Sequence, residues 1–240
     1  MKPLKTNARI TEVADVGARL LILLGRETTP ADDKILKPLF VEIQTLTDQL
    51  SQAIKSDRAL SQLDEADTLR DDVIRRIGKI LQGYVASPIT SIQQAATKLN
   101  TVFDKYGVSV ARENYATESA HIESLLKDFA NPSLSEYIKI LPGVTEIIAM
   151  LAAAQKDFND HRVTYEQALA FQSSQLKSAE LKKRLLQRIN ASLLPYLGSL
   201  KSLNQKEYFP FIEGVSQIIS NTNSGITARS KKPDNTTKPI

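Results

Sequence analysis

Apolar residues along this chain recur every three or four positions, the spacing that gathers them on one face of an α-helix. Leu39, Ile43, Leu46, Leu50 and Ala53 form one such row. Thr29-Pro30-Ala31-Asp32 ahead of it reads as a helix start, and Pro38 is expected to kink or restart the helix. Ser61, with Asp64 three residues on, is expected to open a helix carrying Ala66, Leu69, Val73, Ile77, Ile80 and Tyr84. Ser87-Pro88 stops it, and the next row is Ile92, Ala95, Ala96, Leu99, Val102 and Phe103, with Gly107 placed as a left-handed C-cap. The longest row follows Pro142-Gly143: Val144, Ile147, Leu151, Ala154, Phe158, His161, Tyr165, Ala168 and Gln172. A helix from about Leu176 carries Leu185, Leu186, Ile189 and Leu193 and is expected to kink or end at Pro195 and Gly198. A last one, at about 207–220, carries Phe211, Val215, Ile218 and Ile219.

No alternating segment is flanked by Asn-Gly or Asp-Gly turns, so the fold class is all-α. Short loops make consecutive helices antiparallel neighbours. The expected architecture is an elongated up-and-down antiparallel bundle of seven to eight helices with coiled-coil-like heptad stripes. Residues 1–220 form a single helical domain, with a sub-bundle boundary marked near 107–114. Residues 221–240, rich in Asn, Thr, Ser, Lys and Pro, read as a disordered basic tail.

Composition removes whole classes of chemistry. There is no Cys and there are only two histidines, His121 and His161, so thiol catalysis, disulfides and multi-histidine metal centres are out. Trp is absent and aromatics are 6%, a thin supply for base stacking. No Gly-rich phosphate loop and no Gly-x-Ser-x-Gly elbow occurs. No apolar run approaches the roughly 18–20 residues a bilayer requires. A cytoplasmic protein is therefore expected, with no membrane association. The net charge of +4 is unevenly placed: residues 1–175 hold 20 basic against 23 acidic side chains, and residues 176–240 hold 11 against 4.

Three ordered blocks carry a resemblance: Glu65-Ala66-Asp67-Thr68-Leu69-Arg70-Asp71, then Ala95-Ala96-Thr97-Lys98-Leu99 running on to Phe103-Asp104-Lys105-Tyr106-Gly107, then Arg188-Ile189-Asn190-Ala191. Residues 114–129, with Glu118 and Leu125-Leu126, fit the same pattern. Together they resemble an uncharacterised bacterial family of all-helical proteins, a domain of unknown function, over most of residues 10–230. Ile74 stands where an aromatic is common in that family. The resemblance implies a helical fold and brings no activity, substrate or cofactor with it.

Two charged clusters stand out. The first holds Asp67, Arg70, Asp71 and Arg75; Asp71–Arg75 and Asp72–Arg76 are i,i+4 pairs of favourable polarity. It reads as a solvated helix face, with a recognition face or an interhelical polar network as the functional alternative. The second is a basic face of Lys182, Lys183, Arg184 and Arg188, continued by Arg229, Lys231 and Lys232. Glu118-Ser119-Ala120-His121 has the Glu-x-x-His spacing of carboxylate-bridged metal sites, but such a site needs two copies and further inward carboxylates. Glu118 is placed at a half-wet boundary, and His161 as a core or boundary histidine paired inside the fold. No cofactor is implied and no catalytic or metal-binding residue is assigned. The expected function is a non-enzymatic helical interaction or scaffold protein with a protein partner or self-association. The alternative is nucleic-acid binding through the basic last quarter, and a carboxylate-metal bundle enzyme ranks last.

Overall fold

The structure is a computed structural model that describes residues 1–171 and 176–231. Its α-helices are α1 (Ile10–Leu24), α2 (Thr28–Asp32), α3 (Leu36–Val85), α4 (Thr90–Phe103), α5 (Tyr115–Phe129), α6 (Ser135–Ile140), α7 (Val144–Ala170), α8 (Ser178–Gln187), α9 (Leu194–Ser202) and α10 (Phe209–Lys231). Three short 3₁₀ segments and one π-helical turn join them, and no strand occurs among the described residues. The fold is all-α. No single helix among the described residues is long and apolar enough to cross a membrane.

The chain packs as two compact units where one domain was expected. One comprises Met1–Asp57 together with the chain from Ala170 onward, and the other is Arg58–Leu169. The divisions fall at 57/58 and 169/170, not near 107–114, because separate clusters of apolar side chains form on either side of them. The first division lies inside α3, which runs unbroken through Ser61. No Gly or Pro occurs between Pro38 and Gly78, so nothing in the chain terminates that helix.

In the first unit, α1, the first part of α3, α8, α9 and α10 bury Val16, Leu20, Ile43, Leu50, Leu185 and Phe211 in one apolar core. Asp33 sets the start of α3. Its Oδ1 accepts from the backbone N–H of Ile35 and Leu36, both at 2.8 Å, and its Oδ2 accepts from Tyr208 at 2.8 Å and Tyr196 at 3.0 Å. Burial alone would raise the Asp33 pKa, but these four donors hold it below its ordinary value. α2 ends at Asp32 and a new helix starts at Leu36, so the chain restarts just ahead of Pro38, which falls in the first turn of α3, where a missing N–H costs nothing. Gly17 on α1 is a point of close approach: a Cβ there would lie 2.3 Å from Thr47 Oγ1.

Pro195 does not end its helix either. The chain widens into a π-helical turn over Arg188–Leu193 and continues as α9, which gives the proline ring room at the turn where it lacks an N–H. The tail expected from residue 221 is helical as far as Lys231. Its polar residues are used: Asn223 accepts from Lys5 N–H at 3.0 Å and donates to Pro3 C=O at 2.9 Å, Arg229 pairs with Glu12, and Ile226 is buried. Gln172 and residues 232–240, including Lys232, lie outside the described residues.

In the second unit, the later part of α3 packs with α4, α5 and α7 around Ile77, Leu99, Phe103, Ile122, Leu125 and Leu151. Gly107 and Gly143 take φ of +67° and +79°, the region glycine enters freely, just before the Val108–Arg112 3₁₀ turn and α7. Asn114 caps α5 by accepting from Thr117 N–H at 3.1 Å. Along α7 the row Val144, Ile147, Leu151 and Phe158 is buried, with Gln155 beside it. On α3 the expected row breaks at one place: Leu69 is 62% exposed, and Arg70 takes the inward position instead.

Asp33→Ala removes a helix cap and two tyrosine hydrogen bonds together and should cost about 2–3 kcal/mol in urea unfolding. Asp33→Asn, which keeps the cap, should cost less. The depressed carboxyl contributes stability above its unfolded pKa and loses it as pH falls through the folded one, so the wild-type advantage over Asp33→Ala should shrink in acid.

Candidate functional site

The turn Asp67–Asp71 of α3 holds the densest ionisable cluster of the second unit. Three and four residue spacings put Asp67, Arg70 and Asp71 on neighbouring positions of one helical face. With Ala66 and Leu63 one and two turns earlier and Val73, Ile74 and Ile77 later all buried, the Arg70 side chain enters the core. It is 0% exposed, so Arg70 leaves the solvated face on which Arg75, Asp72 and Arg76 remain. A buried guanidinium must find partners within reach of its fork.

It finds them on three helices. Arg70 Nη2 pairs with Asp67 Oδ1 and with Glu118 Oε2 of α5, each at 2.8 Å. Arg70 Nη1 donates to Ser119 Oγ at 3.1 Å and to Gln155 Oε1 of α7 at 3.0 Å. The guanidinium carbon lies 3.5 Å from the centroid of the Phe158 ring, a cation–π contact in a desolvated setting. Phe158 meets Tyr115 edge-on at 5.1 Å, and Tyr115 donates to Asp64 at 3.4 Å. Arg75, half-exposed, holds Asp71 Oδ2 from the outer side at 2.8 Å.

The charges do not balance. Asp67, Asp71 and Glu118 each bring one carboxylate oxygen to within 4.8 Å of the others, around a single buried cation. Glu118 is 2% exposed, not half-wet as its position at the edge of the α5 row suggests. Burial pushes its pKa up to about 7; Arg70 opposes the rise, while Asp67 and Asp71 add to it. Burial raises Asp67 as well, against the pull of Arg70. Two oxygens of the cluster, Glu118 Oε1 and Asp71 Oδ1, are buried with no hydrogen-bond donor among the described residues. The arrangement is a clamp across α3, α5 and α7 that carries a surplus of acid, so a proton or another cation is favoured between those oxygens.

The remaining candidates do not join this cluster. Asp72–Arg76 at 3.3 Å is a surface pair of the expected kind. His121 turns to Glu113, 2.7 Å from Nδ1, so the Glu-x-x-His pair is split between two different partners. His161 is 31% exposed and stands 3.7 Å from Asp157. In the other unit, Lys182, Lys183 and Arg184 lie on α8 and Arg188 at the start of the π turn. Arg184 pairs with Glu180 at 3.2 Å and Arg188 with Glu42 at 2.6 Å, so half of the basic face is neutralised. Lys182 and Lys183 make no ion pair among the described residues and border a groove of about 610 Å³ floored by Ile10, Ala179 and Leu186. Arg184 and Arg188 border a second groove of about 450 Å³ with Val41, Leu46 and Ala191.

The sequence points to Glu118 only through its Glu-x-x-His spacing and does not mark Ser119, Gln155 or Phe158 as site residues. Gln155 offered one sign, an amide beside the apolar row of α7 one turn before Phe158. Against known proteins, the profile of a family of unknown function, DUF6261, matches residues 60–209. No curated protein and no solved structure matches.

The sign of the Glu118 shift gives a test. With its folded pKa raised, this group contributes stability below its unfolded pKa and loses it as pH rises through about 7. Glu118→Gln cannot ionise, so in chemical unfolding the variant should gain on the wild type between about pH 5 and pH 8. A difference that stays constant over that range would contradict the assignment.

Proposed function

We propose that this chain, which belongs to the family of unknown function DUF6261, is a non-enzymatic helical interaction protein. The observation that carries the reading is the surroundings of α8 and its π turn. Two solvent-open grooves border this segment, each with an apolar floor and a polar rim, the anatomy of a protein-recognition surface. Val41, 62% exposed, lies on the wall of one groove, and Lys182 and Lys183 line the other. An apolar anchor flanked by acidic side chains is the partner chemistry this surface fits. The dense polar cluster at Arg70 supports the same reading, because its Nη1 and Nη2 are spent on the chain's own acceptors and the fully buried side chain presents no donor to solvent.

Val41→Glu changes the groove without touching the core. The full chain should retain partners from its native cell, and Val41→Glu should lose them while unfolding at the wild-type temperature. Equal retention by both would remove the groove from the reading. Sedimentation at micromolar concentration decides whether the partner is a second copy.

Nucleic acid is the second reading, favoured by Lys182 and Lys183, which have no carboxylate partner among the described residues. Labelled DNA and RNA titrated at about 50 and 200 mM salt should then show affinity falling steeply with salt and weakened by a Lys182→Ala/Lys183→Ala double substitution. Binding indifferent to both would refute it.

A further inference from the structure

We propose that Asp67, Asp71 and Glu118 form a site for one hard divalent cation of the Mg²⁺, Mn²⁺ or Ca²⁺ class, held between α3 and α5. Ligand oxygens about 2.0–2.6 Å from a common ion lie roughly 3–5 Å from one another, and these three carboxylates offer one oxygen each within 4.8 Å. Proximity of acids alone would mean little. The second observation is Glu118: it is 2% exposed, and its Oε1 is buried with no donor among the described residues. Asp71 Oδ1 is in the same condition. A cation between them supplies what both oxygens lack.

The neighbouring groups fit this use. Arg70 engages Glu118 Oε2 and Asp67 Oδ1, and Arg75 engages Asp71 Oδ2. Each arginine thus takes an oxygen that leaves the other oxygen of the same carboxylate available, as outer-shell donors do around metal ligands. Three carboxylates against the guanidiniums of Arg70 and the half-exposed Arg75 still leave negative charge for a cation to offset. Asp67 and Asp71 are 27% and 15% exposed at the side chain, so the cluster is open to water on the α3 side, where an ion enters and completes its shell. The donor set is oxygen only, with His121 turned to Glu113 and no cysteine in the chain, which selects hard cations over zinc or copper.

The inference does not rest on the interaction reading, and the two fail separately. The full chain, freed of metal with a chelator, is titrated with Mn²⁺ and followed by electron paramagnetic resonance, and its thermal unfolding is followed in Mg²⁺ and Ca²⁺. One saturable site with a Kd on the order of 10⁻⁴–10⁻³ M is expected, with an unfolding midpoint that climbs as cation is added. Asp71→Asn and Glu118→Gln should each weaken Mn²⁺ binding by at least about tenfold, and Glu113→Gln, outside the cluster, should leave it unchanged. Should one acidic variant fail to fold, the half-exposed Asp67→Asn provides the same reading. The absence of saturable binding up to about 10 mM Mn²⁺, or binding that survives Asp71→Asn and Glu118→Gln alike, overturns the site and leaves a shared proton between the two oxygens.

Discussion

A fully enclosed guanidinium constrains the second unit more than any apolar contact in it. Taking one charge out of water costs several kcal/mol, of which only close, well-aligned partners return a large share. Arg70 meets that demand with an acid one turn back on its own helix, an acid and a hydroxyl on α5, an amide on α7 and the face of Phe158. Apolar side chains tolerate sliding by a fraction of a turn, since their attraction has no direction. The fork of an arginine does not. A shift of α5 by one residue would strand Glu118 or Arg70 without its partner, so the polar cluster sets the register in which the neighbouring apolar rows interlock.

The first unit solves a comparable problem with small polar groups at its chain ends. Asn190 accepts from Leu4 N–H at 2.9 Å and donates to Leu4 C=O at 2.8 Å, and Asn223 does the same kind of work for Lys5 and Pro3. The irregular segment ahead of α1 leaves backbone groups of Pro3, Leu4 and Lys5 in need of partners, and two side-chain amides provide them. Asp33 performs the equivalent service at the start of α3 while tying down Tyr196 and Tyr208. These contacts join residues about 160 to 220 positions apart in the chain, which is why the N-terminal segment and α10 pack together.

Periodicity made the helical class legible, because a row repeating every three or four residues has only one efficient way to bury itself. It could not say which of two adjacent residues faces inward. At 69 and 70 the row admits either side chain, and hydrophobicity favours Leu69; the burial of Arg70 depends on Glu118, Ser119 and Gln155, which arrive from elsewhere in the chain. The same limit hid the helix beyond residue 220. An Asn- and Thr-rich stretch has weak intrinsic helical preference, and its helix is held by contacts of Asn223, Thr227 and Arg229 with the first twelve residues. The continuation of the helix past Pro195 is hidden for a related reason, since the π turn that accommodates it has no signature in residue type.

The surplus of acid around Arg70 is harder to explain by folding alone. One carboxylate suffices to neutralise a buried guanidinium, and apolar residues of similar volume often stabilise a core as well as an ion pair does. Glu118 already meets the need of Arg70, and Asp67 adds a second acid that is partly wet. Asp71 then brings a third whose inner oxygen faces no donor, although Arg75 holds its outer one. Burial is the main cause of the raised Glu118 and Asp67 pKa values, and each neighbouring carboxylate adds to the cost of keeping the others ionised. Such a surplus favours a positive charge brought in from solution, whether that charge is a proton or a metal ion. The clamp is therefore complete as a mechanical element, joining three helices, yet incomplete as an electrostatic one.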